Sequence, residues 1–440
     1  MTPSRILVVG SGGREHALAL RLARDTGPGG VLLAPGPAGA ARDFPCHPVA
    51  ERDAEALAAL CSRERVDLVV VGPEAPLAAG VADALRSSGV AVFGPSREAS
   101  RLEASKWFAK QIMQEAGVPT ARAERLESVA SARAALGRFA APWVLKADGL
   151  AAGKGVRVTP DRAEAEEFLA GCLEGGRFGA SGRAVVIEEF LDGEEASVMA
   201  VCDGVRHVLL PSARDYKRAF DFDRGQNTGG MGAFSPATGV DPGTEREVGA
   251  RIVSPVLAAM ARRGTPFRGL LYCGLMLGVN GPRVVEFNVR FGDPETQVVL
   301  PLVNGSLATL LASAAAGKIE DRTIGRETDA TVAVALVDEG YPERVSGDGL
   351  ITGLDELDAD AVHVVHAATR REGAAWRITG GRAAYVVGRA ENIGQARSKV
   401  YAAIERLGGR GWRCRRDIAA GRNHAPAATR GAESDRGGTP

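Results

Sequence analysis

The segment Glu286–Gln297, EFNVRFGDPETQ, gathers carboxylates, an amide and a guanidinium at spacings suited to phosphate and metal chemistry. Read as a strand over Pro282–Phe291, its period of two sends Val285, Phe287, Val289 and Phe291 to one face. Glu286, Asn288 and Arg290 then share the other. Hard oxygen donors suit Mg2+, which keeps much of its water and binds through one or two protein groups plus substrate phosphates. A guanidinium beside them could grip a carboxylate or phosphate with two parallel hydrogen bonds. An ordinary solvated Glu–Arg pair explains those three residues about equally well. The turn that follows tips the balance: Asp293 and Glu295 add two more carboxylates, a costly cluster of negative charge unless a cation holds it.

A second chemical stretch follows the strand Trp143–Lys146. The run ADGLAAGKGV places Gly149, Gly153 and Gly155 between Lys146 and Lys154, which suits the polyphosphate of a nucleotide. It is not a Walker loop: only three residues separate Gly149 from Gly153-Lys154, Gly155 replaces the metal-reaching Ser/Thr, and a strand follows. A flexible hairpin tip is the lesser alternative. The strand Arg183–Phe190 alternates apolar and acidic residues into Leu191–Glu195; it could frame a base and a ribose, although a charged hairpin explains it better on its own. Residues 212–236 read as one long polar, glycine-rich loop carrying Asp215, Lys217 and Arg218, the kind of segment that closes over a substrate. Near the start, the strand RILVV runs through Gly10-Ser11-Gly12-Gly13 into a helix, an arrangement that favours anions. Glu15 at the third glycine position argues against a dinucleotide fingerprint. Glu74 is either a helix-start acid or a substrate contact. Lys106 and Lys110, one turn apart on a helix Ser100–Ala116, read as a solvated face.

The elements that must position these groups are those of an α/β protein. A chain of 440 residues has room for two to four domains. Residues 1 to about 100 alternate strands with Ala-rich helices, as a doubly wound parallel sheet does. Strands Gly269–Leu277 and Pro282–Phe291 pair through a turn at Asn280-Gly281, and Pro301–Ala316 is an apolar helix. From Thr331 short strands and turns take over, closed by a helix Asn392–Leu407. Residues 421–440 have almost no large apolar side chains and are expected to be disordered. Lys+Arg and Asp+Glu both number 54, so nothing global attracts nucleic acid or an anionic membrane. The six cysteines are scattered without a CxxC pair, which fits a reducing cytoplasm and excludes a disulfide framework or a zinc site. His363 and His366 fall on opposite faces of a β-like run and read as structural. No leader and no membrane-spanning apolar run is read, so a cytoplasmic protein is expected.

Together, GSGGREHAL (10–18), VGPEAPL (71–77), KADGLAAGKGV (146–156), IEEFLDGEEAS (187–197), NTGGMGAFSP (227–236) and EFNVRFGDPETQ (286–297) resemble the phosphoribosylamine–glycine ligase family, also called glycinamide ribonucleotide synthetase, of the ATP-grasp superfamily. The resemblance runs over residues 5–418 in the same order. It implies an N-terminal substrate domain (1–101), a joining helix (102–122), an ATP-grasp lid (123–190), a central catalytic domain (191–327), a small C-terminal α/β domain (328–420) and a tail. The activity it implies is ATP-dependent ligation of glycine to 5-phosphoribosylamine through glycyl phosphate, with Mg2+ or Mn2+, in purine biosynthesis. It places Lys106 and Lys146 on ATP phosphates beneath the loop of Gly149, Gly153, Lys154 and Gly155. Glu188, Glu189, Phe190 and Leu191 would line the adenine pocket and Glu195 (or Glu194) would hold ribose. Glu286 and Asn288 fall on metal ligands; Arg290, Asp293, Asp215 and Lys217 would face the reacting carboxylate; Gly12, Gly13 and Glu74 would border phosphoribosylamine. Tyr216, Val289 and Pro37 depart from the family's common His, Cys and Asn. A monomer with small-molecule partners, and neither nucleic acid nor membrane, is expected. The competing readings are another ATP-grasp carboxylate–amine ligase of purine metabolism and a non-catalytic nucleotide-sensing module. The second would dispense with the metal ligands.

Overall fold

The computed structural model describes residues 2–151, 154–320, 324–357 and 361–421, so Gly153 and all but the first residue of the expected tail lie outside the described residues. β1 (Ile6–Gly10), β2 (Val31–Pro35), β3 (Leu68–Val71) and β4 (Val92–Phe93) make a parallel sheet in the order β2-β1-β3-β4. Both faces are covered, which is why these strands read as unbroken apolar runs. The strand order reverses between β1 and β3, so a crevice opens at their carboxyl ends, where Gly10–Gly13 and Glu74 sit.

β5 (Ala123–Leu126), β6 (Trp143–Ala147), β7 (Val156–Thr159) and β8 (Val185–Glu188) form an antiparallel sheet in the order β5-β8-β6-β7. Helices Val129–Leu136 and Arg162–Leu173 pack on it, and together they enclose a core of their own that includes Leu136, Trp143, Phe168 and Ile187. The helix expected over Ser100–Ala116 is broken at Ser105, which is extended. Its hydroxyl accepts from the Phe108 N–H at 3.1 Å and starts a new helix, Lys106–Ala116, with Lys106 in the first turn.

Next come β9 (Glu194–Asp203), β10 (His207–Leu209), four short strands β11 (Arg214–Asp215), β12 (Arg218–Phe220), β13 (Arg224–Asn227) and β14 (Gly232–Ser235), and the hairpin β15 (Arg268–Gly278)–β16 (Gly281–Asn288). The antiparallel sheet β10-β9-β15-β16 buries Val198, Cys273 and Phe287 on one face. Its other face starts apolar at Val201 and Leu270 and becomes polar at Glu195, Ser197, Tyr272, Glu286 and Asn288, aligned across the strands. The hairpin loop is Val279-Asn280 rather than Asn280-Gly281; Gly281, with φ 88°, is already the first residue of β16.

The expectation of a long loop over 212–236 is overturned. β12 and β13 form a hairpin, while β11 and β14 join a sheet with Ala330–Asp338, Arg382–Ala390 and Val362–His366. Met231–Ser235 are buried, and their backbone polar groups need ladder partners that a loop would not supply. Likewise the expected helix Pro301–Ala316 shortens to Leu307–Ala315, capped by Ser306. His366 packs 4.2 Å from the Trp376 ring, and burial pushes its pKa down to about 3 and that of His363 to about 4. The six cysteines are free, and among the described residues no helix is long and apolar enough to cross a membrane.

The first glycine turn docks against the C-terminal sheet. A Cβ on Gly13 would lie 2.6 Å from Tyr385 Cε2 and 3.1 Å from Gln297 Nε2, both fully buried side chains without room to yield. Gly13→Ala is therefore expected to cost about 1–3 kcal/mol through overpacking. A urea unfolding midpoint equal to that of the parent would show that the contact gives way freely.

Candidate active site

The polar end of the central sheet is organised by one irregularity in β16. Gly274 pairs with Glu286 but Leu275 pairs with Val284, so Val285 is the extra residue of a β-bulge. The expected alternation fails there: Val284, not Val285, shares the buried face with Phe287 and Val289. The strand also ends at Asn288 rather than Phe291. Beyond the bulge the original phase holds, and Glu286 and Asn288 project side by side over Gly274 and Tyr272. A Cβ on Gly274 would sit 3.2 Å from Glu286 Cγ, so the glycine leaves room for the carboxylate. Neither Glu286 nor Asn288 makes a side-chain hydrogen bond or ion pair with the described residues, which leaves two adjacent oxygen donors free. Among the described residues no three His, Cys, Asp or Glu side chains converge as a metal cluster, so a cation here would take its remaining ligands from elsewhere.

The bulge presents the Val285 carbonyl to Lys146, whose Nζ donates to it at 2.9 Å. Lys146 also pairs with Glu188 at 3.1 Å. Glu188 is buried and shared: Lys110 reaches its other oxygen at 3.1 Å while donating to Thr120 Oγ1 at 2.9 Å and the Ala121 carbonyl at 3.0 Å. Lys110 is thus no solvated lysine, and burial pulls its pKa down to about 8 against the pull of Glu188. Lys106 donates to the Gly149 carbonyl at 2.6 Å, tying the helix start to the glycine loop. Burial lowers its pKa, opposed by the Glu286 and Glu103 carboxylates. Gly149 packs against Ser181 and Gly155 against Ala151, while Lys154 is exposed. Glu189 binds the Arg122 N–H at 3.1 Å and pairs with Arg283; Phe190 is exposed and Leu191 buried.

On the same sheet face, Lys217 Nζ lies 2.6 Å from Glu195 and 3.6 Å from Asp215. Burial pushes the Asp215 carboxyl up to about 7; Lys217 opposes this, and the nearby Glu295, Glu195 and Glu286 add to it. Lys217 keeps its proton: burial disfavours the charge, but the Asp215 and Glu195 carboxylates raise its pKa well above the ordinary value. The structure adds a group that the sequence did not single out. Tyr272 OH donates to Glu295 at 2.7 Å and lies 2.7 Å from Ser197 Oγ.

Past the strand end, Arg290 is clasped by Glu74 at 3.2 Å and by Glu103 at 2.9 Å, an acid that sequence reading passed over. Asp293 accepts from Tyr385 OH at 2.8 Å and Gln297 Nε2 at 2.9 Å and pairs with Arg382 at 3.2 Å. Burial favours its neutral form, yet the Arg382 and Arg14 guanidiniums hold it below the usual carboxylate range. Arg382 also donates to the Gly230 carbonyl at 3.4 Å and pins the Gly229 carbonyl. The Gly12 N–H, expected to face an anion, instead donates to Glu15 at 2.6 Å. A Cβ on Gly12 would lie 3.7 Å from Asp293 Oδ2. The expected residues therefore fall into two adjoining groups. One surrounds Glu286, Asn288 and the lysines; the other surrounds Arg290, Asp293, Glu74 and the glycine turn.

Models for the N, ATP-grasp (A) and C domains of phosphoribosylglycinamide synthetase match residues 4–103, 104–296 and 331–421. The chain belongs to this family. It is 48% identical over 420 residues to the phosphoribosylamine–glycine ligase of Streptomyces coelicolor, covering 94% of this chain and 99% of that protein. The corresponding protein of Mycobacterium tuberculosis is 45% identical over 421 residues, covering 94% and 97%. The crystal structure of phosphoribosylamine–glycine ligase from Thermotoga maritima superposes with a TM-score of 0.82 at 34% identity, covering 94% of this chain and all of that one. A biotin carboxylase from Campylobacter jejuni, at 17% identity and a TM-score of 0.70 over 93% of each chain, shares the fold.

Asp215 yields a signed expectation. Its folded-state pKa lies above the ordinary 3.8, so between that value and about 7 the folded synthetase holds a proton that the unfolded chain has lost. This group's contribution to stability is complete at low pH and declines as pH rises through that window. Asp215→Asn is expected to gain stability relative to the parent between about pH 5 and about pH 8. Parallel urea midpoints at the two values would contradict it.

Proposed function

We propose that this synthetase ligates glycine to 5-phosphoribosylamine, converting ATP to ADP and phosphate and yielding glycinamide ribonucleotide for purine biosynthesis. The observation that carries this reading is the free Glu286–Asn288 pair set among Lys106, Lys146 and Lys217, next to the Arg290–Glu74 clasp. Phosphoryl transfer needs positioning and charge neutralisation more than covalent chemistry, and these groups supply both.

Lys106 and Lys146 hold the ATP phosphates, with Gly149, Lys154 and Gly155 closing over them in a lid of residues 123–190. Glu188, Glu189, Phe190 and Leu191 border the adenine, and Glu195 binds ribose beside Lys217. Glu286 and Asn288 would hold Mg2+ or Mn2+, which when bound neutralises phosphate oxygens; two free hard-oxygen donors and no soft ligand fit such an ion. Lys217 and Arg290 bring positive charge to glycine's carboxylate, with Asp215 beside Lys217. A carboxylate oxygen attacks the γ-phosphorus and ADP leaves, giving glycyl phosphate. The amine of phosphoribosylamine, bordered by Gly12, Gly13, Glu74 and Asp293, attacks the carbonyl carbon; phosphate leaves and the nitrogen gives up a proton. Closure excludes water, which would otherwise hydrolyse the acyl phosphate. Six free thiols support a cytoplasmic enzyme.

ADP release with each substrate omitted in turn tests the reaction; release that ignores glycine or phosphoribosylamine would refute it. Glu286→Ala and Arg290→Ala are each expected to lose about 2.7–4 kcal/mol of transition-state stabilisation, or ~10²–10³ in turnover. Near-parent turnover in either purified variant would remove that residue from the mechanism. Lys110→Met should act differently, because it frees one side of Glu188 and draws Lys146 away from the phosphates. Its KM for ATP is expected to rise about tenfold or more, a loss of ~1.4 kcal/mol, with KM for glycine little changed. Equal rises in both constants would count against a role confined to the nucleotide.

A further inference from the structure

The hairpin β12–β13, just beyond Asp215 and Lys217, turns through Phe222 and Asp223, with φ 61° and 53°. Both lie in the left-handed region of a three-residue connection, Asp221–Asp223, where a bulky Phe is disfavoured. A two-stranded hairpin is barely stable alone. Something outside it must impose this turn.

The imposing element is the C-terminal segment Trp412–Ala419. The Arg415 side chain is 0% exposed. Its Nη1 donates to the Arg218 carbonyl and to Asp223 Oδ1, both at 2.9 Å, and its guanidinium is itself fixed by Asp417 at 2.8 and 2.6 Å. Asp417 accepts the Phe222 N–H at 2.8 Å, and Asp221 accepts the Arg416 N–H at 2.8 Å. Both strained residues are thus tied to the segment. The segment is anchored in turn on the helix Ile393–Ile404, where Tyr401 OH donates to the Arg415 carbonyl at 2.8 Å. At its other end the hairpin closes on Lys217, whose carbonyl accepts the Thr228 N–H at 2.7 Å.

We infer that Arg415 is a positioning residue for the ligation, holding the β12–β13 hairpin from its tip so that Lys217 and Asp215 are presented to glycine. The inference rests on the role proposed for Lys217, and the experiment separates the two. In the full chain, Arg415→Met is expected to lower kcat/KM for glycine about 100-fold, the scale of a small misplacement of reacting groups. ATP affinity, measured in the absence of glycine, should fall no more than about fivefold, because Lys106 and Lys146 are held by other elements and only Glu195 of the nucleotide site touches Lys217. Hydrogen exchange should speed up over residues 218–228 and remain slow in β9 and β15. Arg415→Lys should recover only part of the loss, since an ammonium cannot span Asp223, Asp417 and the Arg218 carbonyl together.

Unchanged kcat/KM for glycine would overturn the inference; so would equal losses for ATP and glycine with faster exchange throughout, which is a merely structural role. If Arg415→Met does not fold, Asp223→Ala removes one tether from a more exposed side chain and should give a smaller loss, about 3–10-fold, in the same direction. No loss there would count equally against it. Lys217→Ala is the control. Retained use of glycine would refute the role of Lys217 and this inference with it, whereas its loss beside an unaffected Arg415→Met refutes the inference alone.

Discussion

Compensation of buried charge is the constraint on which the site depends. An ionised carboxylate withdrawn from water is tolerated only with a counter-charge or several hydrogen bonds. Glu188 has two lysines, Glu74 and Glu103 share Arg290, Asp293 has Arg382, and Glu195 and Asp215 share Lys217. Glu295 relies on the Tyr272 hydroxyl. Glu286 stands apart, unpaired on a half-buried strand face beside an equally unpaired amide. In a cleft whose other acids are matched, that exception marks where positive charge from outside the chain fits best.

The matching also explains the architecture. Its partners come from different parts of the chain: Glu74 from the start of the helix Glu74–Ala79 beside the N-terminal sheet, Glu103 from the short helix Arg101–Ala104, Lys146 and Glu188 from the small sheet, Arg382 from the C-terminal strands. The pairs made by Arg290 and Asp293, and the contact of Lys146 with the Val285 carbonyl, staple these elements to β16 and its exit. The small sheet has its own core and meets β16 through Lys146 and the Val285 carbonyl, apart from the carboxylates bound by Arg290. The C-terminal strands are built in more tightly. They share a sheet with β14, and Tyr385 fills the space that Gly13 leaves open.

Much of this was legible in the sequence, and the omissions have physical causes. Unbroken apolar runs revealed the parallel sheet, and alternation revealed which of the residues in β16 face the site. Alternation failed at Val285 because a bulge is set by pairing with β15, which local periodicity does not encode. Lys110 looked solvated because helical spacing says nothing about what lies opposite, and Glu188 arrives from a strand 78 residues later by number. Glu103, Arg382, Tyr385 and Arg415 were missed for the same reason: their partners are distant in sequence and no local pattern announces them. The 212–236 stretch was misread because glycines and charges resemble a loop until a neighbouring strand, Ala330–Asp338, offers them a ladder.

Tyr216 shows how one short stretch serves two masters. A period of two along 215–217 sends Asp215 and Lys217 to one side and Tyr216 to the other. The first pair meets the carboxylates of the central sheet. Tyr216 turns away: its ring lies 5.0 Å below the Arg415 guanidinium, and its hydroxyl accepts the Ala419 N–H at 3.0 Å. Burial raises the phenol's pKa, so the hydroxyl stays protonated. The side chain's size and hydroxyl are thus spent on the C-terminal segment. Tyr216 thereby adds a stacking contact and a hydrogen bond to the segment that carries Arg415.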